Sequence, residues 1–392
     1  MQEEVTLMSR ITYIGMDVHS TSFSFCALEQ CTSGQDQAFA HVTAKPDYKE
    51  VVKYINSLKA QRGKDSRFIC AYEAGCLGYS LYHQLSQCGI DCVILAPSTI
   101  LSPVGKRIKT DKRDAENIAR SLAHGLGSHV FVPTVEDEEV REYLRMRNDH
   151  KNALKVVKQQ INSFCLRHGH AYDGTKTKWT VSHLTWLRRL ALSPMLREAL
   201  DEYLAAYEQL TARLNAMEAR IEELAAQKRY AGDVKKLCCF LGIKTACALS
   251  LIVETGDFRR FAKGELYSAY LGLTPSEHSS GEKICRGRIS KAGNTNLRRM
   301  LTEAAQGICN GQIGHKSKAL LARQEGNERD IIIYADRAND RLRRKYYRLI
   351  RSGKKKNVAV TAVARELACF IWGMMTNNLE LRGERQRQVL AS

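Results

Sequence analysis

Short apolar runs dominate the N-terminal part of the chain, and polar or glycine residues separate them. Runs of this length and alternation predict β-strands, at residues 11–16, 21–28, 38–43, 67–72 and 91–95. The first two are close enough to form a hairpin, in which Phe23 and Phe25 share one face of the second strand. Helical spacing between the later strands predicts helices at 48–58 and 79–87. Strands that alternate with helices in this way predict a mixed or parallel sheet.

The pattern changes to long polar helices from residue 135 to about residue 230. Apolar residues there recur at gaps of three and four, which is the spacing of a coiled-coil seam. In the segment 200–226 they are Leu204, Tyr207, Leu210, Leu214, Met217, Ile221 and Leu224. Ser193 and Pro194 mark the start of this helix. An exposed helical pair of this length predicts a dimer interface or a spacer, and packing inside one chain is the alternative.

A third region begins near residue 233 with a helix, a turn at Gly242 and a second helix over 246–254. The pattern resembles a helix-hairpin-helix, in which a glycine turn exposes backbone N–H groups to a phosphate. Tight packing of two helices explains the same glycine, and both interpretations stand. An apolar helix over 358–376 is typical of a core element, and residues 380–392 are expected to form a frayed tail.

Composition makes nucleic acid the first candidate partner. The chain has 392 residues, a hydrophobic fraction of 44% and a formal net charge of +18. These values predict a globular protein of two or three domains that binds a polyanion. An acidic membrane surface is the competing partner, but we find no apolar run near the length of a membrane span, no signal peptide and no lipidation motif. No membrane association is therefore expected.

Thirteen cysteines occur at irregular spacings, and no CxxC pair is present. This distribution argues against a zinc ribbon and against a disulfide framework. Buried reduced thiols explain it more simply, and they imply a reducing cytoplasm.

Four acidic residues lie at the ends of predicted strands or at the start of a predicted helix. Asp17 follows the first strand, and Glu73 ends the fourth. Asp111 and Asp114 precede a helix predicted over 116–126, and their spacing places them on one helix face. The carboxyl edge of an open α/β sheet is where ligands usually bind, and four carboxylates there suit Mg²⁺ or Mn²⁺. Taken singly, each acid is also explained as a surface carboxylate or as a residue that favours the positive end of a helix dipole.

A glycine- and serine-rich segment over 270–294 contains Ser280 next to Gly281. A serine in such a segment hydrogen-bonds a phosphate or caps a turn. It becomes a nucleophile only when a base, a metal or nearby cations activate it.

Basic residues are concentrated in several stretches. Residues 341–356 contain nine basic residues, two tyrosines and no acid, which predicts a surface for a nucleic-acid backbone with base stacking by Tyr346 or Tyr347. A solubilising charge run is the alternative. The predicted nucleic-acid contacts are Lys109, Lys112, Arg113, Lys283, Arg286, Arg288, Lys291, Arg298, Arg299, Arg343, Arg344 and Lys345.

Together these motifs resemble the DEDD transposases of bacterial insertion sequences, the insertion sequence 110 family with its 1111 subgroup. The resemblance rests on the order and spacing of motifs over nearly the whole chain. The matching segments are 14–19, 72–75, 109–115, the hairpin at Gly242, 270–275, 279–281, 287–294 with 297–299, and 359–372.

The resemblance implies an α/β RuvC-like, or ribonuclease H-like, domain over 1–134 and a mainly helical serine transposase domain over 233–379. Between them it implies a helical coiled-coil region for multimerisation over 135–232. Members of the family are directed by a structured guide RNA, the bridge RNA, which pairs with donor and target DNA. They act as multimers whose active sites combine two subunits, so a homo-oligomer, either a dimer or a tetramer, is expected in the bacterial cytoplasm.

The resemblance also implies the roles of the candidate site residues. Asp17, Glu73, Asp111 and Asp114 would correspond to the four Mg²⁺-binding acids. Ser280 would attack DNA and form a covalent phosphoserine intermediate, with the adjacent Ser279 as the other candidate.

Two further functions are consistent with the same residues. In a metal-dependent endonuclease of the Holliday-junction-resolving type, the acids would activate water and Ser280 would only bind phosphate. In a non-catalytic architectural protein, the basic surfaces would bind RNA or DNA and the acids would have no chemical role.

Overall fold

The computed structural model describes residues 11–30, 36–62, 66–100, 110–174, 177–277 and 286–379. The chain divides into two compact units, the first ending at Val132 and the second beginning at Pro133. The strands are β1 (Ile11–Val18), β2 (Phe23–Glu29), β3 (Gln37–Ala44), β4 (Arg67–Glu73), β5 (Asp91–Leu95), β6 (Pro275–Glu277) and β7 (Arg286–Ile289). The helices are α1 (Tyr48–Arg62), α2 (Ser80–Gln87), α3 (Asp111–Ala123), α4 (Val135–Arg167), α5 (Val181–Arg188), α6 (Pro194–Ala225), α7 (Ala231–Leu237), α8 (Thr245–Thr255), α9 (Gly264–Tyr270), α10 (Thr295–Cys309), α11 (Lys318–Gln324), α12 (Arg329–Arg351) and α13 (Lys356–Met375).

The five predicted strands of the first unit build one sheet in the order β3-β2-β1-β4-β5. β1 and β2 form the predicted antiparallel hairpin, and β3 pairs antiparallel with β2. β4 pairs parallel with both β1 and β5. The prediction of a mixed sheet is therefore confirmed. Because β1, β4 and β5 run in the same direction, their carboxyl ends lie at one edge of the sheet.

One face of this sheet is apolar and is covered by α1 and α2. Ile14 and Met16 of β1 are fully buried there, in one cluster with Ile55 of α1 and Leu85 of α2. Side chains alternate between the faces along a strand, so the residues between them, Gly15 and Asp17, belong to the other face. The buried apolar face thus determines on which side the first acid lies.

The other face is covered by α3, and Gly15 allows this helix to approach β1 closely. A Cβ atom on Gly15 would lie 1.9 Å from the carbonyl oxygen of Ala115 and 2.4 Å from the backbone nitrogen of Ala119. Backbone atoms of a helix cannot withdraw as the end of a side chain can, so only glycine is tolerated at this position. The close approach brings the start of α3 to the face that carries Asp17.

The helix α3 begins earlier and ends earlier than the predicted range 116–126. Asp111 and Asp114 lie inside its first turn. Gly125 has a φ of +62° and ends the helix, with the Leu126 N–H donating to the Ser121 carbonyl oxygen at 2.9 Å. The side chain of Leu126 is half exposed, so it does not continue the apolar face that its spacing predicted.

The long helices α4 and α6 pack against each other as an antiparallel pair inside one chain. At one end Leu144 of α4 shares a buried cluster with Ile221 of α6. At the other end Phe164 packs with Leu200 and Leu204. The predicted seam on α6 thus contacts α4 of the same chain, and the start of α6 at Pro194 is confirmed. A coiled coil between chains stays a prediction.

The core of the second unit is built by the helices α7 to α10, α12 and α13, together with one end of α4 and α6. A Cβ atom on Gly242 would lie 2.0 Å from the Ala304 carbonyl oxygen of α10, which supports the interpretation that this glycine permits tight packing. Among the described residues, α13 is the helix long and apolar enough to cross a membrane. Most of it is buried in this core, as predicted for 358–376. The eleven described cysteines form no disulfide.

Candidate active site

Asp17 lies near the carboxyl end of β1 and is 8% exposed. Its Oδ1 atom is 3.3 Å from Nε2 of His19, whose side chain is half exposed. Its Oδ2 atom is buried, and no described residue donates a hydrogen bond to it. A buried acceptor without a donor carries the full cost of its lost hydration. Such an atom in a native protein is a candidate ligand for a cation.

The charges around Asp17 oppose its ionisation. Burial raises the pKa of the Asp17 carboxyl above its usual value, and the negative charges of Asp114 and Asp111 raise it further. The charge and hydrogen bond of His19 act in the opposite direction and lower it. Asp17, Asp111 and Asp114 thus place three carboxyl groups at one edge, where a bound cation would relieve their repulsion.

The start of α3 brings a second acid to Asp17. Ligand atoms of Asp17, His19 and Asp111 all lie within 4.8 Å of one another, close enough to coordinate one ion. Asp114 lies three residues further along α3 and is partly buried. Both helix acids lie in the first turn, where the helix dipole favours negative charge. Asp111 and Asp114 can therefore interact favourably with the helix dipole and also lie near Asp17.

Glu73 is the last residue of β4, on the strand next to Asp17. The parallel register pairs Met16 with Tyr72, so the following residues, Asp17 and Glu73, lie side by side at the edge. Strand alternation places both on the face covered by α3. Among the described residues, the group within 4.8 Å contains His19 in place of Glu73. The structure thus brings all four predicted acids to one edge and groups two of them tightly.

His19 is the residue that sequence reasoning missed. The signal was its spacing, because two residues that are two apart at the end of a strand lie on the same face. Its imidazole adds a nitrogen donor to the carboxylate oxygens. This donor set, together with the buried Oδ2 of Asp17, fits a divalent cation.

The glycine- and serine-rich segment over 270–294, the serine segment, lies in the second unit. Its residues Ser279, Ser280 and Lys283 are outside the described residues, and so is Lys109 of the first unit. On either side of the undescribed residues 278–285, Glu277 of β6 pairs with Arg286 of β7. The two strands that flank Ser280 in the sequence are therefore neighbours.

The base of these strands is held by tight backbone packing. A Cβ atom on Gly293 would lie 1.8 Å from the Tyr270 carbonyl oxygen, and Gly293 has a φ of +73°. Arg298 donates hydrogen bonds of 3.1 Å to the carbonyl oxygens of Leu271 and Ala292. Arg298 thus joins the segment before β6 to the segment after β7.

The predicted nucleic-acid contacts differ in their surroundings. Exposed members are Lys112, Arg113, Arg288, Lys291 and Arg344. Arg299 donates to Glu303 and Asn296, and Lys345 forms an ion pair with Glu366. These two side chains remain at the surface but already have partners.

Arg343 points into the protein. It is 3% exposed, and its guanidinium donates to the backbone carbonyl oxygens of Ile308, Gln312 and His315. A phosphate would have to replace these buried hydrogen bonds. Arg343 therefore holds the turn after α10 in place, in contrast to the solvent-facing role expected from its basic neighbours.

A mixed five-stranded sheet with carboxylates gathered at the carboxyl edge of its parallel strands, joined to a mainly helical unit, fits a transposase of the DEDD, RuvC-like class. Comparison with known proteins agrees. A DEDD transposase family model described as Transposase matches residues 14–168, and the model of the Transposase IS116/IS110/IS902 family matches residues 234–319.

Relatives extend the agreement over most of the chain. The protein y4qE of Sinorhizobium fredii is 33% identical over 93% of this chain and 88% of its own length. The transposase for insertion sequence element IS1533 of Leptospira borgpetersenii is 32% identical over 89% of this chain and 99% of its own length. The transposase for IS1111A of Coxiella burnetii is 25% identical over 77% of this chain and 79% of its own length. This chain belongs to the IS110 family of insertion-sequence transposases, a membership that implies DNA binding and DNA recombination.

Proposed function

We propose that this protein is an RNA-guided DNA recombinase that moves an insertion sequence by strand exchange through a phosphoserine intermediate. The observation that carries the proposal is the buried Oδ2 atom of Asp17, which no described residue satisfies, next to His19 and Asp111. The domains of the proposal are the RuvC-like domain over 1–134, the multimerising helices over 135–232 and the serine transposase domain over 233–379.

In the proposed reaction, Oγ of Ser280 attacks the phosphorus of a DNA phosphodiester. A bond forms between Oγ and phosphorus, and the bond from phosphorus to one sugar oxygen breaks. The serine gives up its proton, and the released sugar oxygen gains one. A sugar hydroxyl of another strand then attacks the phosphoserine, restores a phosphodiester and returns the serine hydroxyl. No water is consumed, so the strands are exchanged without hydrolysis.

Asp17, Glu73, Asp111 and Asp114 would hold Mg²⁺ or Mn²⁺, with His19 beside them. A bound divalent cation supplies stabilisation of the negative charge on the phosphate oxygens. These residues would hold the cation at the sheet edge, and the exposed Lys112 and Arg113 of α3 would offer contacts to flanking phosphates.

One observation favours a second candidate, a metal-dependent endonuclease. The described acid cluster is built within the first unit alone, so it has the ligands to activate water without a serine. Denaturing electrophoresis of reactions with labelled DNA separates the two functions. The recombinase is expected to leave labelled DNA attached to protein, whereas the nuclease would leave free nicked DNA.

RNA guidance has its own test. The protein purified from cells that carry its whole element is expected to retain one discrete structured RNA, because the exposed basic side chains bind a phosphate backbone of either nucleic acid. Sequencing of that RNA should show two segments complementary to DNA that flanks and receives the element. A preparation with no discrete RNA, or with RNA unrelated to the element, would overturn guidance while leaving the transposase class intact.

Arg344 and Arg343 form a matched pair for testing the basic surface of α12. Arg344→Ala is expected to weaken binding of any nucleic acid uniformly and to lower the slope of log affinity against log salt by about 1. Arg343→Ala is expected to lower the free energy of unfolding by about 2–4 kcal/mol, because it removes a buried guanidinium and its hydrogen bonds to three backbone carbonyl oxygens. Filter binding over a salt series and thermal unfolding measure the two effects. An unchanged salt slope in Arg344→Ala would remove this residue from the proposed interface.

A further inference from the structure

Glu254, near the end of α8, is a buried carboxylate with four hydrogen bonds from three residues. Its side chain is 2% exposed. Arg145 of α4 donates to both of its oxygens at 2.9 Å, once from Nε and once from a terminal nitrogen. Asn294 donates to one oxygen at 2.8 Å, and Asn296 donates to the other at 3.3 Å. Glu254 is the last residue of the helix predicted over 246–254, and the sequence pattern assigned no chemical role to its side chain.

Two of these partners, Asn294 and Asn296, lie in the segment that follows β7. Asn294 is the N-cap of α10, and its Oδ1 accepts from the Leu297 N–H at 3.0 Å. Both ends of the Asn294 amide are therefore used, the oxygen by α10 and the nitrogen by Glu254. The preceding residue, Gly293, packs against the Tyr270 carbonyl oxygen. Glu254 thus links the C-terminal end of the serine segment, at Asn294, to α8.

Glu254 keeps its charge in this buried position. Burial acts to raise its pKa, but the hydrogen bonds and charge of Arg145, the hydrogen bond of Asn294 and the charge of Arg141 together hold the pKa below its usual value. A buried ion pair is on balance a weak source of stability, since both charges lose their hydration. Its more specific effect is geometric, because a bidentate pair fixes the directions of the groups around it.

We propose that Glu254 is a positioning residue for strand exchange, which fixes Asn294 and through it the junction between β7 and α10. The inference rests on the proposed function, in which Ser280 is the nucleophile. Arg145 completes the arrangement by orienting the carboxylate from α4. A nucleophile on a misplaced segment still permits DNA binding, but it reaches the phosphorus less often.

Glu254→Gln tests this role because it is nearly isosteric and removes the charge. Whichever oxygen the glutamine NH₂ group replaces, it faces one nitrogen of Arg145 and the amide of Asn294 or Asn296, so both of those hydrogen bonds are lost. We expect adduct formation at saturating DNA to slow by about 10- to 100-fold, with the dissociation constant for DNA within about twofold. A role limited to stability would lower the melting temperature without this separation of rate from affinity.

The double variant Glu254→Gln with Asn294→Asp provides a rescue. The exchange keeps the net charge and reverses the direction of the hydrogen bond, since the new amide donates to the new carboxylate. Aspartate also retains the N-cap of α10, because its other oxygen accepts from the Leu297 N–H. We expect the adduct rate to recover to within about threefold of the unchanged protein, and a much smaller recovery would contradict positioning through Asn294.

Asp91→Asn is the matched control. Asp91 is also paired with an arginine, Arg67, but its side chain is more than half exposed on β5. Its substitution is expected to leave the adduct rate unchanged. If Glu254→Gln forms the adduct at the unchanged rate, the positioning role is overturned and the proposed function survives. If the unchanged protein forms no adduct at all, the proposed function itself is contradicted, and the positioning role is contradicted with it.

Discussion

Ser280→Ala is expected to abolish the covalent adduct between protein and DNA, whereas Ser279→Ala is expected to retain it. In the proposed reaction, alanine removes the Oγ atom that would form the bond to phosphorus. Loss of a covalent nucleophile costs about 10³-fold or more in rate. The measurement is denaturing electrophoresis with end-labelled DNA, followed by mass spectrometry of the digested adduct.

The adjacent serine is a close control for Ser280. Both residues lie next to each other in the same segment, so a general effect on folding or DNA binding should affect both variants alike. An adduct lost only in Ser279→Ala would move the nucleophile by one position. Free nicked DNA from both variants and from the unchanged protein, without any adduct, would support the endonuclease instead.

Asp17→Asn is expected to abolish DNA cleavage and to stabilise the protein in the absence of divalent cations. Loss of cleavage follows if Asp17 is a central ligand, and an effect of about 10³-fold or more is expected. Stabilisation follows because the neutral amide avoids the cost of burying a charged carboxylate and no longer repels Asp114 and Asp111. A gain in stability together with a loss of activity is the signature of a residue retained for function.

The pH dependence has a defined sign. The folded pKa of Asp17 is raised above the usual 3.8, so the folded protein binds this proton more tightly than the unfolded chain does. The contribution of Asp17 to the free energy of unfolding is therefore most favourable at low pH. It falls as the pH rises from near 3.8 through the raised folded pKa. The advantage of Asp17→Asn over the unchanged protein should grow across the same range and then level off. Thermal unfolding over a pH series without divalent cations measures it.

Divalent cations separate this explanation from a purely structural one. Mn²⁺ or Mg²⁺ is expected to raise the melting temperature of the unchanged protein but not that of Asp17→Asn. Asp91→Asn is the control, since Asp91 is an exposed acid of the same unit that pairs with Arg67. Equal stabilisation of all three proteins by the cation would place the metal elsewhere. Unchanged recombination in Asp17→Asn would favour the architectural protein without catalysis.

Local patterns were sufficient for most secondary structure. The five strands of the first unit and the long helices α4 and α6 follow from apolar spacing, because burial on one face requires the same period wherever the element lies. The errors lie at the ends of elements. Gly125 ends α3 before Leu126, since a left-handed residue and its hydrogen bonds override a continuing apolar spacing.

By itself the sequence determined the strands and helices, the positions of the acids at their ends, and the family, since each depends on residues close together in the chain or on the order of motifs. Tertiary structure decided which charged side chains meet. It placed His19 beside Asp17 and Asp111, turned Arg343 inward to three carbonyl oxygens, and joined Glu254 to Asn294 across 40 positions. The physical reason is that the burial and partners of a charged group depend on which distant segments pack against it, and a local pattern of apolar residues does not record them.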